Sequence, residues 1–406
     1  MIYGFDVHML FRDLLNDQLE KKREAFIRYF DEQASELRFY KAALSRLEKL
    51  SLSEIKERLA DITDFGAMPA REIEKNRSFA FPFSQLWQNH EQARRWADEI
   101  LENRTTFAAD GSQIFAGKET SMPVAAIQIG WFENPHDESL NYEKNADFEI
   151  LSPEDLLKGN EEPINPETRV GERRFHGEAA KVGEFISRKK GWQERGERMP
   201  LGFFDGTLLF SIGLPQTAIQ ESFLQAMVNL VRHSRDCKVP IVGYIDRSFA
   251  RDVTTLLETI EPNGKPVERT LYDAAILFSA DVLDSWGDRS CFCYSHRHGL
   301  SAFNDENGRS IVGFSYLRTA MDAPPARLDI PAWVYEDGLL DEIIDVVRAE
   351  CVIGLGYPYA AETADQAAVI SSADRDIFLR ALQELAAREK LGFSVSRKVA
   401  SKGRRR

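Results

Sequence analysis

The 406-residue sequence contains few cysteines and no long apolar run. Its four cysteines are too scattered for a disulfide framework, and no stretch approaches the roughly 20 apolar residues that cross a bilayer. The first residues, MIYGFDVHMLFRDLL, carry neither the basic leader nor the small-residue cleavage site of a signal peptide. These absences predict a cytoplasmic protein that does not enter a membrane.

Several common catalytic motifs are also missing. The sequence has no phosphate-binding P-loop and no Gly-x-Gly-x-x-Gly after a strand, so neither ATP hydrolysis nor dinucleotide binding is indicated. A Gly-x-Ser-x-Gly nucleophile elbow is absent as well. The formal net charge of -13 excludes a uniformly basic surface that coats nucleic acid, but it leaves room for a local basic groove.

Residues 1–103 are predicted to form an N-terminal helical region. The segment 17–62 is rich in Glu, Lys, Leu and Arg with apolar residues at helical spacing, which predicts two amphipathic helices. A further helix is expected at about 84–102. This region is either an arm for oligomerisation or partner docking, or a helical appendage packed on the main domain.

Residues 104–394 have the alternating pattern of an α/β domain with a mixed sheet. A polar segment at 133–170 with four prolines predicts a surface excursion. The basic end, 395–406, is expected to be a disordered tail, either simply solvated or contacting phosphates or an acidic partner. The predicted strands are 105–110, 123–132, 201–210, 239–246, 290–298, 310–318 and 326–334. The predicted helices that follow are 218–235, 338–350, 361–371 and 374–390.

Two strands lead into the same short motif, FAADGSQIF at 107–115 and FFDGTLLF at 203–210. Ligands of α/β sheets bind at the carboxyl ends of strands, and the glycine allows a substrate or ion to approach the backbone. If the two strands are neighbours, Asp110 and Asp205 converge. Two close carboxylates repel one another unless a cation lies between them, so the pair predicts a divalent metal with oxygen ligands. Asp-Gly is also an ordinary turn dipeptide, which is the alternative.

Further acidic residues are expected from helices. Glu178 and Glu184 lie six residues apart in RRFHGEAAKVGEFISRKK, so only one of them points readily into the site. The segment GLGYPYAAETAD places Tyr357 in a tight turn and Asp365 eight residues later, on a helix expected to begin near Glu362.

The stretch CFCYSHRHG at 291–299 has two interpretations. Cys291 and Cys293 lie close to His296 and His298, which raises a zinc site. The alternation of residues equally indicates a strand, and Cys-x-Cys lacks the wider spacing of ordinary zinc knuckles. The strand is the preferred interpretation.

The two Asp-Gly strands, the intervening glutamate helix and the GYPY...ETAD segment together resemble the NurA family of DNA-repair nucleases. GWFEN at 130–134 and VGYID at 242–246 also fit, and they favour the cyanobacterial or bacterial-type branch. The resemblance covers roughly residues 100–390.

This resemblance implies a ribonuclease-H-like core, a homodimer and a nuclease that cuts DNA ends and single strands with Mn²⁺ or Mg²⁺, two ions in all. It also implies 5'-3' exonuclease and single-strand endonuclease activity in end resection, with a HerA-type hexameric ATPase as partner. Where archaeal members carry a histidine, this chain has Asp365, which puts the metal preference in doubt. By position, the metal ligands are Asp110, Glu178, Asp205 and Asp365, and Tyr357 is the active-site tyrosine.

Two other functions remain open. One is a non-catalytic adaptor that keeps the fold and binds DNA or the motor. The feature that supports this alternative is Asp365 in place of the family's histidine. The other is a ribonuclease-H-like enzyme that acts on RNA or hybrids. Arg247 and Arg318 are candidate phosphate contacts, although a structural role is the preferred interpretation for both.

Overall fold

A computed structural model describes residues 7–115, 120–157, 165–210, 217–261 and 270–394. The basic tail, 395–406, lies outside these residues. The strands are β1 (Gly66–Pro69), β2 (Ala80–Phe81), β3 (Thr106–Phe115), β4 (Ala125–Asn134), β5 (Glu143–Leu151), β6 (Leu201–Asp205), β7 (Ile241–Ile245), β8 (Arg289–Ser290), β9 (Cys293–His296), β10 (Val312–Leu317) and β11 (Ala326–Pro331).

Helices flank this sheet, and within the described residues none is long and apolar enough to span a membrane. The N-terminal helices are α1 (Val7–Leu47), α2 (Leu52–Leu59), α3 (Glu72–Asn76) and α4 (His90–Leu101). The remaining helices are α5 (Pro153–Leu157), α6 (Pro166–Lys189), α7 (Ala218–Cys237), α8 (Asp252–Ile260), α9 (Asp273–Ser279), α10 (Ala332–Glu336), α11 (Leu340–Ile353), α12 (Tyr359–Ala368) and α13 (Ser372–Arg388).

The main path of the sheet has the strand order β1-β9-β10-β11-β7-β6-β3-β4-β5. Strand β6 pairs in parallel with both β3 and β7, whereas β4 pairs antiparallel with β3 and β5. The five strands β5-β4-β3-β6-β7 therefore have the order and directions of a ribonuclease-H-like sheet, as expected from the sequence. The additional antiparallel strands extend the sheet from β7 to β1.

The N-terminal region is not purely helical. Strand β1 pairs with β9, and β2 pairs with β8, so residues from this region belong to the same sheet as the rest of the chain. Both segments are too short to show a strand pattern, but they satisfy backbone groups that an open sheet edge leaves unpaired. The two helices predicted within 17–62 are present as α1 and α2, and α2 begins with a capping box between Ser51 and Glu54.

The predicted excursion at 133–170 is in part regular structure. Strand β5 pairs with β4 along its whole length, and α5 and the beginning of α6 follow. All but the last of the β5 residues are exposed, because β5 ends the sheet path and little of the chain covers it. Its polar composition therefore correctly indicates a segment at the surface. Because the strand has no buried face, its sequence lacks the alternation of polar and apolar residues from which a strand is predicted.

Two glycines bring helices close to strand β3. A Cβ atom on Gly111 would lie 2.6 Å from the Glu178 Oε1 atom of α6, and a Cβ atom on Gly130 would lie 2.3 Å from the Ala368 nitrogen of α12. Gly130 is the β4 partner of Asp110, so α6 and α12 approach neighbouring residues of β3 from opposite faces of the sheet. Side chains from both helices can therefore reach the surroundings of Asp110.

Candidate active site

Asp110 and Asp205 come from neighbouring parallel strands. The register pairs Ala109 with Phe204, which places the two aspartates side by side where the pairing of β3 with β6 ends. The prediction that β3 ends at Asp110 is wrong, because β3 continues to Phe115 through its pairing with β4. Asp110 thus lies at the end of the pairing between β3 and β6 and inside the pairing between β3 and β4, which fixes its backbone.

The structure brings Glu178, and not Glu184, to these aspartates. Glu178 lies in the middle of α6, its side chain is largely buried, and its charge acts on Asp110. Glu184 lies more than half exposed on the outside of the same helix, where its carboxylate is 3.3 Å from the Lys181 ammonium. The six-residue spacing therefore separates a buried acidic residue from one in a surface ion pair.

Tyr357 closes the site from the turn between α11 and α12. Its hydroxyl donates a hydrogen bond of 2.7 Å to Asp205 Oδ1, and its ring packs edge-on against Tyr244. Desolvation, together with the neighbouring Asp205 carboxylate, raises the pKa of Tyr357, so the phenol stays protonated and acts as a donor. The tight turn predicted from the sequence therefore positions this side chain on a carboxylate of the cluster.

Asp365 joins the cluster from α12, which begins at Tyr359 and not near Glu362. The buried Glu350 carboxylate accepts a 2.8 Å hydrogen bond from the Ala360 amide and so anchors the start of this helix. Burial raises the pKa values of Asp110 and Asp205, and the nearby Asp365 carboxylate adds to both shifts. All five residues predicted for the site are therefore neighbours in the fold.

The carboxylates of this cluster disfavour one another's ionisation. Burial raises the pKa of Asp110 to about 6, with Asp365 and Asp205 adding to the shift. Burial raises the pKa of Glu178 to about 7, and the nearby Arg174 guanidinium only partly opposes it. Desolvation also raises the pKa of Asp205, against the hydrogen bond from Tyr357. Burial and the neighbouring carboxylates therefore both disfavour the fully ionised cluster.

The donor set fits a hard divalent cation. It consists of carboxylate oxygens, which Mg²⁺ and Mn²⁺ prefer. The buried Glu178 Oε1 atom has no hydrogen-bond partner in the described parts of the chain, and the Arg174 Nε atom lies 3.7 Å away. Nowhere in the described ranges do three or more His, Cys, Asp or Glu side chains form a ready-made metal cage. A bound ion would therefore draw these carboxylates closer together and take further oxygen ligands from water or substrate.

Sequence reasoning missed two charged residues beside the cluster. Asp246 follows β7, and its charge raises the pKa values of Asp205 and Tyr357. It is a third strand-end aspartate, so the rule that found Asp110 and Asp205 applies to it equally. Arg174 donates to the Gly111 carbonyl oxygen at 2.8 Å, and its spacing of four residues from Glu178 on one helix was the available signal.

Of the two candidate phosphate contacts, Arg318 is structural. Its guanidinium is buried and donates to the carbonyl oxygens of Leu283, Ala320 and Met321, and it stacks on the Phe278 ring. These bonds leave it unable to meet a substrate. Arg247 is exposed next to Asp246 and remains a candidate.

The cysteine-rich stretch forms β9 and the residues beside it. Cys291 and Cys293 lie in an apolar core, where burial raises the pKa of the Cys293 thiol. His296 stacks on Phe65, and His298 contacts Asp64 at 2.9 Å. These separate contacts support the strand interpretation over a zinc site.

A ribonuclease-H-like sheet that gathers acidic side chains from β3, β6, α6 and α12 defines a protein of the nuclease class. The NurA domain model matches residues 104–370, well over half of the sequence. The chain therefore belongs to the NurA domain family.

Solved structures show only distant similarity. A crystal structure of NurA has 9% identity over 70% of this chain and 89% of that chain, with a TM-score of 0.38. Endonuclease V from Bacillus subtilis has 12% identity over 74% of this chain and 97% of that chain, with a TM-score of 0.31. The catalytic domain of human endonuclease V has 12% identity over 72% and 96%, with a TM-score of 0.28. No curated protein matches the sequence.

Proposed function

We propose that this nuclease hydrolyses DNA phosphodiesters with the help of divalent metal ions at the cluster of Asp110, Glu178, Asp205 and Asp365. The observation that carries the proposal is the gathering of these carboxylates from β3, β6, α6 and α12, where burial, and after it mutual repulsion, raises the pKa values of Asp110 and Glu178 to about 6 and about 7. A site that binds only a neutral or anionic ligand gains nothing from such repulsion, whereas a cation relieves it.

Each residue then has a definite task. The four carboxylates hold Mn²⁺ or Mg²⁺, two ions by our proposal, and Tyr357 fixes one oxygen of Asp205 by donating to it. The Arg174 guanidinium, partly exposed beside Glu178, is in position to contact a phosphate oxygen. When bound, divalent ions would lower the pKa of water at the site, so that hydroxide can attack phosphorus as the bond to the leaving oxygen breaks, and they would balance the charge of the phosphate oxygens.

Family membership supports a proposal for the biological setting. We propose a homodimer that acts as a 5'-3' exonuclease and single-strand endonuclease in DNA end resection, with a HerA-type hexameric ATPase as its partner. The net charge of -13 agrees with a nuclease that relies on metal, local groove residues and a motor to hold DNA, because such a protein needs no basic surface.

The test is cleavage of 5'-labelled single-stranded DNA, duplex DNA and RNA in Mn²⁺, Mg²⁺ or chelator. We expect metal-dependent cleavage of DNA, and a loss of more than about 100-fold in Asp110→Ala and Asp205→Ala, because outer residues of metal sites alone cost 10–100-fold. Thermal melting without metal should stay level or rise in both variants. Wild-type cleavage in either variant contradicts the proposed site.

The second candidate function is an adaptor that binds DNA or the motor without cutting. The observation that favours it is the absence, among described residues, of a ready-made metal cage at the cluster. It predicts DNA or motor binding that Asp205→Ala leaves unchanged, with no cleavage of any substrate in either metal. Preferential cleavage of RNA or hybrids would instead identify a ribonuclease.

A further inference from the structure

Three loops beside the candidate site each present an exposed apolar side chain. Leu355 is 87% exposed, Phe249 is 74% exposed and Met321 is 56% exposed. Single exposed apolar residues are common and need no explanation. These three differ in their placement, because each lies two to three residues from a residue of the site or from a direct support of it.

The Leu355 and Met321 loops contact one another beside Tyr357, and the Phe249 loop, whose ring packs on Tyr272, follows the strand β7 that leads to Asp246. Leu355 is two residues before Tyr357, which bonds Asp205, and Phe249 is three residues after Asp246. Met321 is two residues after Thr319, whose hydroxyl lies 3.2 Å from the Tyr244 hydroxyl behind the Tyr357 ring. A Cβ atom on Gly356 would also contact the Thr319 carbonyl oxygen at 3.7 Å, so the Leu355 and Met321 loops abut.

Leu355 also has an unfavourable backbone conformation. Its φ angle of 56° lies in the left-handed region, which a leucine rarely adopts. The turn is tight on both sides, since a Cβ atom on Gly354 would lie 2.1 Å from the Tyr357 carbonyl oxygen and Gly356 has a φ of 111°. A glycine or asparagine would fit position 355 without strain. The leucine side chain neither packs on the protein nor suits its backbone, which points to a contact outside the chain.

We propose that Leu355, Phe249 and Met321 form an apolar rim that packs against the unpaired nucleobases beside the phosphate being cleaved. The inference rests on the proposed nuclease function. Two residues of chain span at most about 7 Å, so Leu355 lies within that distance of Tyr357 and within reach of a nucleotide whose phosphate is bound at the carboxylates. Apolar side chains gain nothing from phosphates, but they contact base faces and insert between base steps. The rim thereby favours single strands and frayed ends over blunt duplexes.

The test variant is Leu355→Asn, which suits the left-handed backbone and should melt at the wild-type temperature or above it. Its matched control is Leu140→Asn. Leu140 is a leucine that is 59% exposed, and it lies on the loop that connects β4 to β5. The probes are a fluorescent single-stranded 12-mer and the same 12-mer with abasic sites at its central positions. Binding is measured by anisotropy in EDTA and in Ca²⁺, so that cleavage does not interfere.

Wild type and Leu140→Asn should bind the normal strand more tightly than the abasic strand, by about fivefold or more. Leu355→Asn should lose this difference while its affinity for the abasic strand stays unchanged. Phe249→Ser, a second variant, should reduce the difference as well. An unchanged preference for the normal strand, or an equal loss of affinity for both strands, overturns the proposal.

Hydrolysis of a small phosphodiester without a nucleobase, methyl p-nitrophenyl phosphate, separates this inference from the proposed function. Wild type should hydrolyse it in Mn²⁺, because its phosphate needs only the carboxylate cluster. If wild type hydrolyses neither it nor any DNA, the nuclease function fails while the binding comparison still reports on the rim. A Leu355→Asn variant that binds both strands normally but no longer binds a hexameric ATPase partner would assign the rim to protein docking and overturn base contact.

Discussion

Two groups of acidic side chains in this fold differ in whether a cation of the protein balances their negative charge. The first is the carboxylate cluster of the candidate site. The second is a buried ionic network that lies between α8 and strands β9, β10 and β11. Its members are Asp252, Asp273, Arg327 and Asp329, all 2% exposed or less.

The buried ionic network carries its own cation. Arg327 donates to Asp252 at 2.8 Å and to Asp329 at 2.7 Å, and it stacks on the Phe314 ring. Asp273 accepts hydrogen bonds from two backbone amides at the start of α8 and from the Tyr316 hydroxyl. Burial and the neighbouring Asp252 raise the pKa of Asp273 to about 6, so the surplus charge of the network falls on a well-bonded group.

In the described parts of the chain, no single cation is bonded to two members of the carboxylate cluster, and the Arg174 Nε atom lies 3.7 Å from Glu178. The comparison therefore contrasts an ionic group whose shared cation is part of the fold with a group that has no such cation among the described residues. The two groups also touch, because Asp329 accepts hydrogen bonds from the Thr207 hydroxyl and the Leu208 amide just after Asp205. The buried ionic network thereby holds the turn that follows Asp205, a member of the carboxylate cluster.

The largest expected difference between the two groups is in stability. Arg327→Met should lower the free energy of unfolding by about 3–5 kcal/mol, because it leaves Asp252 and Asp329 buried without their shared cation. Asp205→Ala should leave it unchanged or raise it when no metal is present. Urea unfolding of both variants in EDTA measures the contrast. Equal stability of wild type and Arg327→Met would remove the distinction between the groups.

Asp365 offers the next largest effect, this time in catalysis. Asp365→Ala should lower the cleavage rate by more than about tenfold, since even outer partners of metal sites act on that scale. Asp365→His should keep part of the Mn²⁺ activity, because imidazole is a good ligand for transition metals. Initial rates against Mn²⁺ concentration distinguish this role from a local effect on α12. An alanine variant with unchanged rate and metal dependence would remove Asp365 from the site.

These contrasts also explain what the sequence could reveal. Asp110 and Asp205 were predictable because each follows an apolar strand, and their adjacency in a parallel sheet brings them together. Glu178, Tyr357 and Asp365 were assigned from the family resemblance. The buried ionic network was not predictable, since Arg327 and Asp252 are 75 residues apart and no local pattern joins them. Strand β5 was missed because exposure on both faces removes the alternation that marks a strand. Strands β1 and β2 could not be predicted, because each is defined only by its pairing with a strand that is distant in the sequence.

A smaller effect is expected in the pH dependence of stability without metal. The pKa of Glu178 is about 7 in the fold against 4.5 as its ordinary value, so the native state binds more protons between these pH values. The free energy of unfolding should therefore fall as pH rises from about 4.5 to about 7. In Glu178→Gln the fall should be smaller, because only the remaining acids with raised pKa values, among them Asp110 and Asp273 at about 6, still bind extra protons in the native state. Urea unfolding across this range in EDTA measures it, and an identical slope in the variant would contradict the raised pKa of Glu178.

The smallest expected effect belongs to Glu184, which shares a helix with Glu178 but none of its surroundings. Glu184→Gln removes one of two carboxylates near Lys181, whose ammonium keeps a 2.6 Å contact with Asp147. Exposed ion pairs contribute about 0–1 kcal/mol, so stability should change by less than about 1 kcal/mol and the cleavage rate should stay at the wild-type level. Glu178→Gln, measured beside it, should lose cleavage, because it removes the negative charge and one oxygen of a buried carboxylate without changing the length of the side chain. Cleavage rates of the two variants at saturating Mn²⁺ decide the matter. An inactive Glu184→Gln with an active Glu178→Gln would transfer the metal site to the outer face of α6.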